Sequence, residues 1–172
     1  MKLGLLAIVL TQVLTIGAAR GSATPPAWKE YVYSENGFAI TLPSDPAPHK
    51  SSQLPSGTAY SVPLSNGARF SLHTMNAGDN CGAAVHSQSH VYEKNKAAPP
   101  SGFKAISFRV VNGPGYSGVE FVQKVPSGKI DYERWVCGPR RLYVLVSDWN
   151  PGEPEPKELL HIVDSFRILS KN

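Results

Sequence analysis

The sequence predicts an α+β domain: a single antiparallel β-sheet of about seven strands flanked by two or three helices. Two Asn-Gly dipeptides, Asn36-Gly37 and Asn66-Gly67, each separate a pair of alternating apolar–polar segments. Asn-Gly tolerates the positive φ angles that tight hairpin turns demand. Between residues 104 and 149, four segments rich in β-branched and aromatic residues are divided only by short Gly- and Pro-bearing turns. Connections that short force antiparallel neighbours. Two further stretches, 83–96 and 157–164, lack alternation and carry apolar residues at helical spacing.

In chain order, Thr24-Pro25-Pro26-Ala27 opens a short extended linker over 24–28, since paired prolines bar regular pairing. Lys29 to Tyr33 alternates, Ser34 to Gly37 turns, and Phe38 to Leu42 alternates again, with Phe38, Ile40 and Leu42 on the buried side and Ala39 and Thr41 opposite. Four prolines make 43–55 a loop. Gly57 to Leu64 and Ala68 to Met75 form the second hairpin, with Phe70, Leu72 and Thr74 inward. Asn76 to Gly82 breaks the pattern. The stretch 83–96 is read as a helix anchored by Ala84, Val85, Val91 and Tyr92, closed by Pro99-Pro100. Strands follow over 104–112, 118–125, 129–137 and 141–149. After a Pro- and Glu-rich connection, Lys157 to Asp164 is helical through Leu159, Leu160 and Val163, and runs on into Ser165–Leu169. Glu155 and Glu158 near its start suit the helix dipole.

The first 23 residues name a compartment. Lys2 precedes a short, mostly apolar stretch from Leu3 to Ile16, and small residues follow at Gly17, Ala18, Ala19, Gly21, Ser22 and Ala23. That is the pattern of a secretory signal peptide, cleaved after Ala19 or Ala23. The stretch is shorter than the ~20 apolar residues of a spanning helix, so no stable membrane span is expected after cleavage. The remaining 24–172 are one domain, exported to the periplasm or the extracellular space. Losing Lys2 and Arg20 cuts the formal charge from +4 to +2, an excess too small to imply nucleic acid as a partner. In an oxidising compartment the two cysteines, Cys81 and Cys137, are expected to bond. Closing so long a loop stabilises by roughly 4 kcal/mol in the chain-entropy picture.

Reactive constellations are sparse. His86 and His90 have metal-ligand spacing on a helix, yet only Asp79 or Glu93 is near to add a third ligand. A thiolate role for Cys81 beside His86 conflicts with the disulfide. No Gly-x-Ser-x-Gly occurs, and Pro114 interrupts the one glycine pair that resembles a phosphate loop. Asp131 and Glu133 share a strand face and read as an exposed pair. Tyr132, Trp135, Tyr143 and Trp149 read mainly as core. Arg134, Trp135, Arg140 and Arg141 form the candidate partner surface, cationic and aromatic together.

The start Tyr33-Ser34-Glu35-Asn36-Gly37-Phe38-Ala39-Ile40-Thr41-Leu42-Pro43 resembles small exported bacterial domains of unknown function. So does the end that pairs Leu142–Val146 with Ile162–Ile168. Such domains look like the PsbP-like fold, shared by an extrinsic subunit of photosystem II and the Mog-type Ran-binding proteins. The resemblance implies a central antiparallel sheet with flanking helices and a binding or assembly role, and it carries over no catalytic residue. The functional expectation is an exported, non-enzymatic binding or assembly domain for a protein or envelope component, without a cofactor. The alternative is a small metal-binding protein or metal-dependent enzyme using His86 and His90.

Overall fold

A computed structural model describes residues 27–169; the signal-peptide reading over 1–23 and the first residues of the linker lie outside them. The chain runs β1 (Lys29–Tyr33), β2 (Phe38–Leu42), β3 (Ala47–Lys50), β4 (Thr58–Pro63), β5 (Arg69–Asn76), α1 (Cys81–Ala97), β6 (Lys104–Gly113), β7 (Tyr116–Lys124), β8 (Ile130–Gly138), β9 (Arg141–Trp149), α2 (Lys157–Ser165) and β10 (Arg167–Ile168). The α+β class holds. A seven-stranded antiparallel sheet has the order β3-β4-β5-β9-β8-β7-β6, and a three-stranded sheet has the order β1-β2-β10.

The second sheet departs from the single sheet expected. The Asn36-Gly37 hairpin forms as read, with Tyr33 opposite Phe38, but it pairs with the end of the chain and not with β3. Helix α2 stops at Ser165 because Phe166 turns extended, at φ −65° and ψ 128°, and Arg167–Ile168 then pairs with Ala39–Phe38. Ser165 fixes this corner: its Oγ accepts the Thr41 N–H at 2.9 Å and donates to the Ile162 carbonyl at 2.7 Å. Covered on both sides, β2 buries Ala39 as fully as Phe38 and Ile40.

One strand was hidden by its prolines. Ala47–Lys50 pairs with Ser61–Thr58 at the edge of the large sheet, where Pro48 gives up an N–H that only an outer neighbour would have used. Its four residues are all exposed.

Alternation along the strands sorts side chains onto the two faces of the large sheet. On one face Phe70, Leu72, Tyr132, Val136, Tyr143, Leu145 and Trp149 meet β2 and helix α2 in the main core. The buried stripe of α2 is Leu159, Ile162 and Val163; Leu160, expected as an anchor, is 56 % exposed because it points away from that stripe. On the other face α1 covers Val119, Phe121, Trp135, Leu142 and Val144 with little more than Cys81 and Tyr92. Val91, also expected as an anchor, is exposed. The disulfide Cys81–Cys137, with Cα atoms 5.5 Å apart, staples the first turn of this weakly amphipathic helix to β8. Among the described residues, no helix is long and apolar enough to cross a membrane.

Candidate binding cleft

The four residues of the expected partner surface do not form one surface. Arg134 is buried on the α2 face. Its Nε donates to Glu120 Oε2 at 2.7 Å, and its Nη1 donates at 3.0 Å to the Val163 carbonyl in the last turn of α2. Glu120 also accepts from Tyr132 Oη at 2.7 Å and from Arg109 Nε at 2.5 Å. Burial alone would raise the Glu120 carboxyl, but these donors and the Arg134 charge together hold it below its ordinary value. This network locks helix to sheet. Trp135, one residue on, faces the opposite way and is buried under α1, its Nε1–H donating to Glu133.

Asp131 and Glu133 are half-buried on that same α1 face, not exposed as read. Burial, then the Asp148 charge, raises Asp131, and burial with the neighbouring Asp131 carboxylate pushes Glu133 up to about 8. Across the strands, the part of this face that α1 leaves uncovered is polar. His49, Ser61, Arg69, Ser71, His73 and Asp148 surround Val146 in a shallow hollow of about 480 Å³. These groups largely satisfy one another. Ser61 and Ser71 hydroxyls lie 2.7 Å apart, and Ser51 Oγ accepts the Gln53 and Leu54 N–H groups, leaving its O–H to donate to His73 Nδ1 at 2.9 Å. Burial, then the His49 charge, lowers His73 to about 4.

His86 and His90 are both exposed on α1. Among the described residues no group of three His, Cys, Asp or Glu side chains stands close enough to hold a metal ion. The disulfide removes any thiolate chemistry of Cys81.

Arg140 and Arg141 lead to a different place. Gly138 pairs with Arg141, which leaves Pro139-Arg140 as a two-residue turn between β8 and β9. Arg140 takes φ 65°, a left-handed conformation that costs a residue with a Cβ roughly 1–2 kcal/mol. The turn is held there from behind, because the Arg140 carbonyl accepts the N–H groups of Ala77 at 2.9 Å and Gly78 at 3.1 Å. Arg141 reaches across to the first hairpin, donating to Asn36 Oδ1 and to the Glu35 carbonyl, each at 3.0 Å. Tyr143 Oη donates to the Asn36 carbonyl at 2.8 Å, and the Leu169 N–H donates to the Gly37 carbonyl at 2.9 Å. Gly37 is required here: its φ is +69°, and a Cβ would stand 3.3 Å from the Tyr143 hydroxyl.

Three turns and the final strand therefore converge at one end of the domain and enclose a cleft of about 910 Å³. Pro114, Pro139, Ile168 and Leu169 supply apolar walls, and Glu35, Arg140 and Arg141 supply charge. Among the described residues neither arginine has a carboxylate ion-pair partner, whereas Arg109, Arg134 and Arg167 each have at least one. The arrangement sets charged groups beside apolar walls, as a ligand site does. The sequence signal for this cleft was the Gly-Pro-Arg-Arg turn: a proline in the first central position followed by a residue that cannot adopt the left-handed region cheaply.

No family model and no curated protein matches the chain. Solved structures do. Cyanobacterial PsbP (CyanoP) from Synechocystis sp. PCC 6803 is similar over 86 % of this chain and 96 % of that one, at 10 % identity and a TM-score of 0.53. The Saccharomyces cerevisiae Ran-binding protein Mog1p aligns over 83 % of this chain and 96 % of that one, at 12 % identity and a TM-score of 0.46. A Pseudomonas aeruginosa protein of unknown function, described as a putative regulator, aligns over 73 % and 84 % at 13 % identity and 0.42. The likeness to CyanoP shows that the fold is PsbP-like. At such identity it speaks of fold alone.

Proposed function

We propose that this chain is an exported, non-enzymatic binding domain that holds an envelope component or the segment of a partner protein in the cleft between its turns. The observation that carries the reading is Arg140, an arginine kept in a left-handed turn at a cost in stability, at the rim of a cleft of about 910 Å³. Strain that the surrounding structure over-determines gathers at functional positions. The volume, the apolar walls and the few charged groups match the make-up of ligand sites. Export rests on the signal-like leader, and a lone cysteine pair joined in a disulfide is in keeping with an oxidising compartment.

The test is a thermal-melt screen of the mature protein against fractionated envelope extract. A stabilising fraction is expected, and Ser34→Trp should abolish its effect. Ser34 is exposed, lines the cleft and makes no side-chain hydrogen bond, so the larger ring obstructs without unfolding. Stabilisation that survives Ser34→Trp would place binding elsewhere.

A further inference from the structure

Building on that reading of the cleft, we infer that its ligand is a small anionic amphiphile, a carboxylate or phosphate head on an aliphatic body, with the head held by Arg140. Three features of the site point to this chemistry.

The first is charge. Arg140 and Arg141 lie side by side, and neither meets a carboxylate among the described residues; Arg141 is occupied by the neutral oxygens of Asn36 and Glu35. Two unneutralised guanidinium groups suit an oxyanion, which Arg recognises through paired N–H donors. Glu35 also lines the cleft, with its carbonyl turned to Arg141, so one wall repels an anion and the head is confined to the Arg140 side.

The second is shape and surface. Pro114 and Pro139 from two turns, with Ile168 from β10 and Leu169 just after it, form an apolar lining next to the charge. Prolines supply it without N–H groups that would need partners. A cleft of about 910 Å³ falls within the range of small-molecule sites, roughly 300–1,000 Å³.

The third is backbone strain at the recognising residue. Glycine would satisfy the φ of 65° at Arg140 freely. Replacing Arg140 by glycine should therefore stabilise the empty protein and weaken it as a binder, two opposite movements that a merely structural arginine would not produce.

The experiment is isothermal titration of the mature protein with decanoate below its micelle concentration, beside decanol and acetate as the head-less and tail-less controls. Decanoate should bind one to one, and each control at least tenfold more weakly. Arg140→Gly should raise the melting temperature of the empty protein and weaken decanoate at least tenfold; Arg140→Asn, which also accepts a left-handed backbone, should weaken it likewise. Equal binding of decanol, undiminished binding by Arg140→Gly, or association with phosphatidylglycerol vesicles but not decanoate would each overturn the inference. Failure with decanoate while the Ser34→Trp-sensitive extract fraction still stabilises would leave the cleft as the site and remove only the anionic, aliphatic ligand. Loss of Ser34→Trp sensitivity would remove both.

Discussion

The two faces of the seven-stranded sheet are made by alternate residues of the same strands, yet they are different materials. The α2 face is continuous and dry: Phe70, Leu72, Tyr143 and Leu145 are at most 1 % exposed, and the buried Arg134–Glu120 network ties them to the end of α2. The α1 face is divided. One half lies apolar under a helix that buries only Cys81 and Tyr92, and the other half is a polar hollow around His73. The first face is held by packing and a satisfied charge pair. The second needs a covalent staple, because α1 offers too little apolar surface to hold itself down. One face builds the domain; the other can tolerate titratable groups.

The largest effect should come from removing the staple. Cys81→Ser with Cys137→Ser should cost roughly 4 kcal/mol by the chain-entropy relation for a loop of this length. Amide exchange should then rise in α1 well before it rises in α2. Next comes breaking the α2 face. Glu120→Ala leaves the buried Arg134 with only the distant, exposed Asp164 carboxylate at 3.9 Å and should cost about 3 kcal/mol, read from urea unfolding. Ser71→Ala, on the polar half of the α1 face, should cost less than half of that.

The pH dependence sharpens the contrast further, since both strongly shifted groups of opposite kind lie on the α1 face. Glu133 keeps its proton up to about 8 when folded but releases it near 4.5 when unfolded, so stability falls as pH rises through that interval. His73 stays neutral down to about 4 when folded, so stability falls as pH drops from 6.5 toward 4. Between 4.5 and 6.5 the two oppose each other, and above 6.5 only the Glu133 loss remains. The urea midpoint should therefore decline from pH 6.5 to pH 8, and Glu133→Gln should flatten that decline. The smallest effect is expected on the outer surface of α1, where His86→Ala with His90→Ala should change stability by no more than about 0.5 kcal/mol.

The same division explains what was legible in the sequence. Strands β5 to β9 could be read to within a few residues because the α2 face repeats apolar residues at period two and the turns between them carry glycine and proline. Strand β3 was hidden, since the prolines that mark a loop are also what an edge strand tolerates. Pairing of β10 with β2 joins residues at opposite ends of the chain, which no local pattern encodes. The half-burial of Asp131 and Glu133 escaped for a similar reason: whether a polar face is open depends on how far a helix from elsewhere extends over it. The disulfide was readable from the cysteine count and the signal-like pattern of the first 23 residues. Of the surface expected around Arg134, Trp135, Arg140 and Arg141, only the two turn arginines border the cleft, since alternation sends the other two to opposite buried faces.

The most direct test of the cleft as a binding site is native mass spectrometry of the protein recovered from its host, wild type beside Ser34→Trp and Arg140→Gly. The account predicts a non-covalent small-molecule adduct on the wild type that is lost from Ser34→Trp and reduced in Arg140→Gly. An adduct carried equally by all three, or none on the wild type even after incubation with envelope extract, would contradict it.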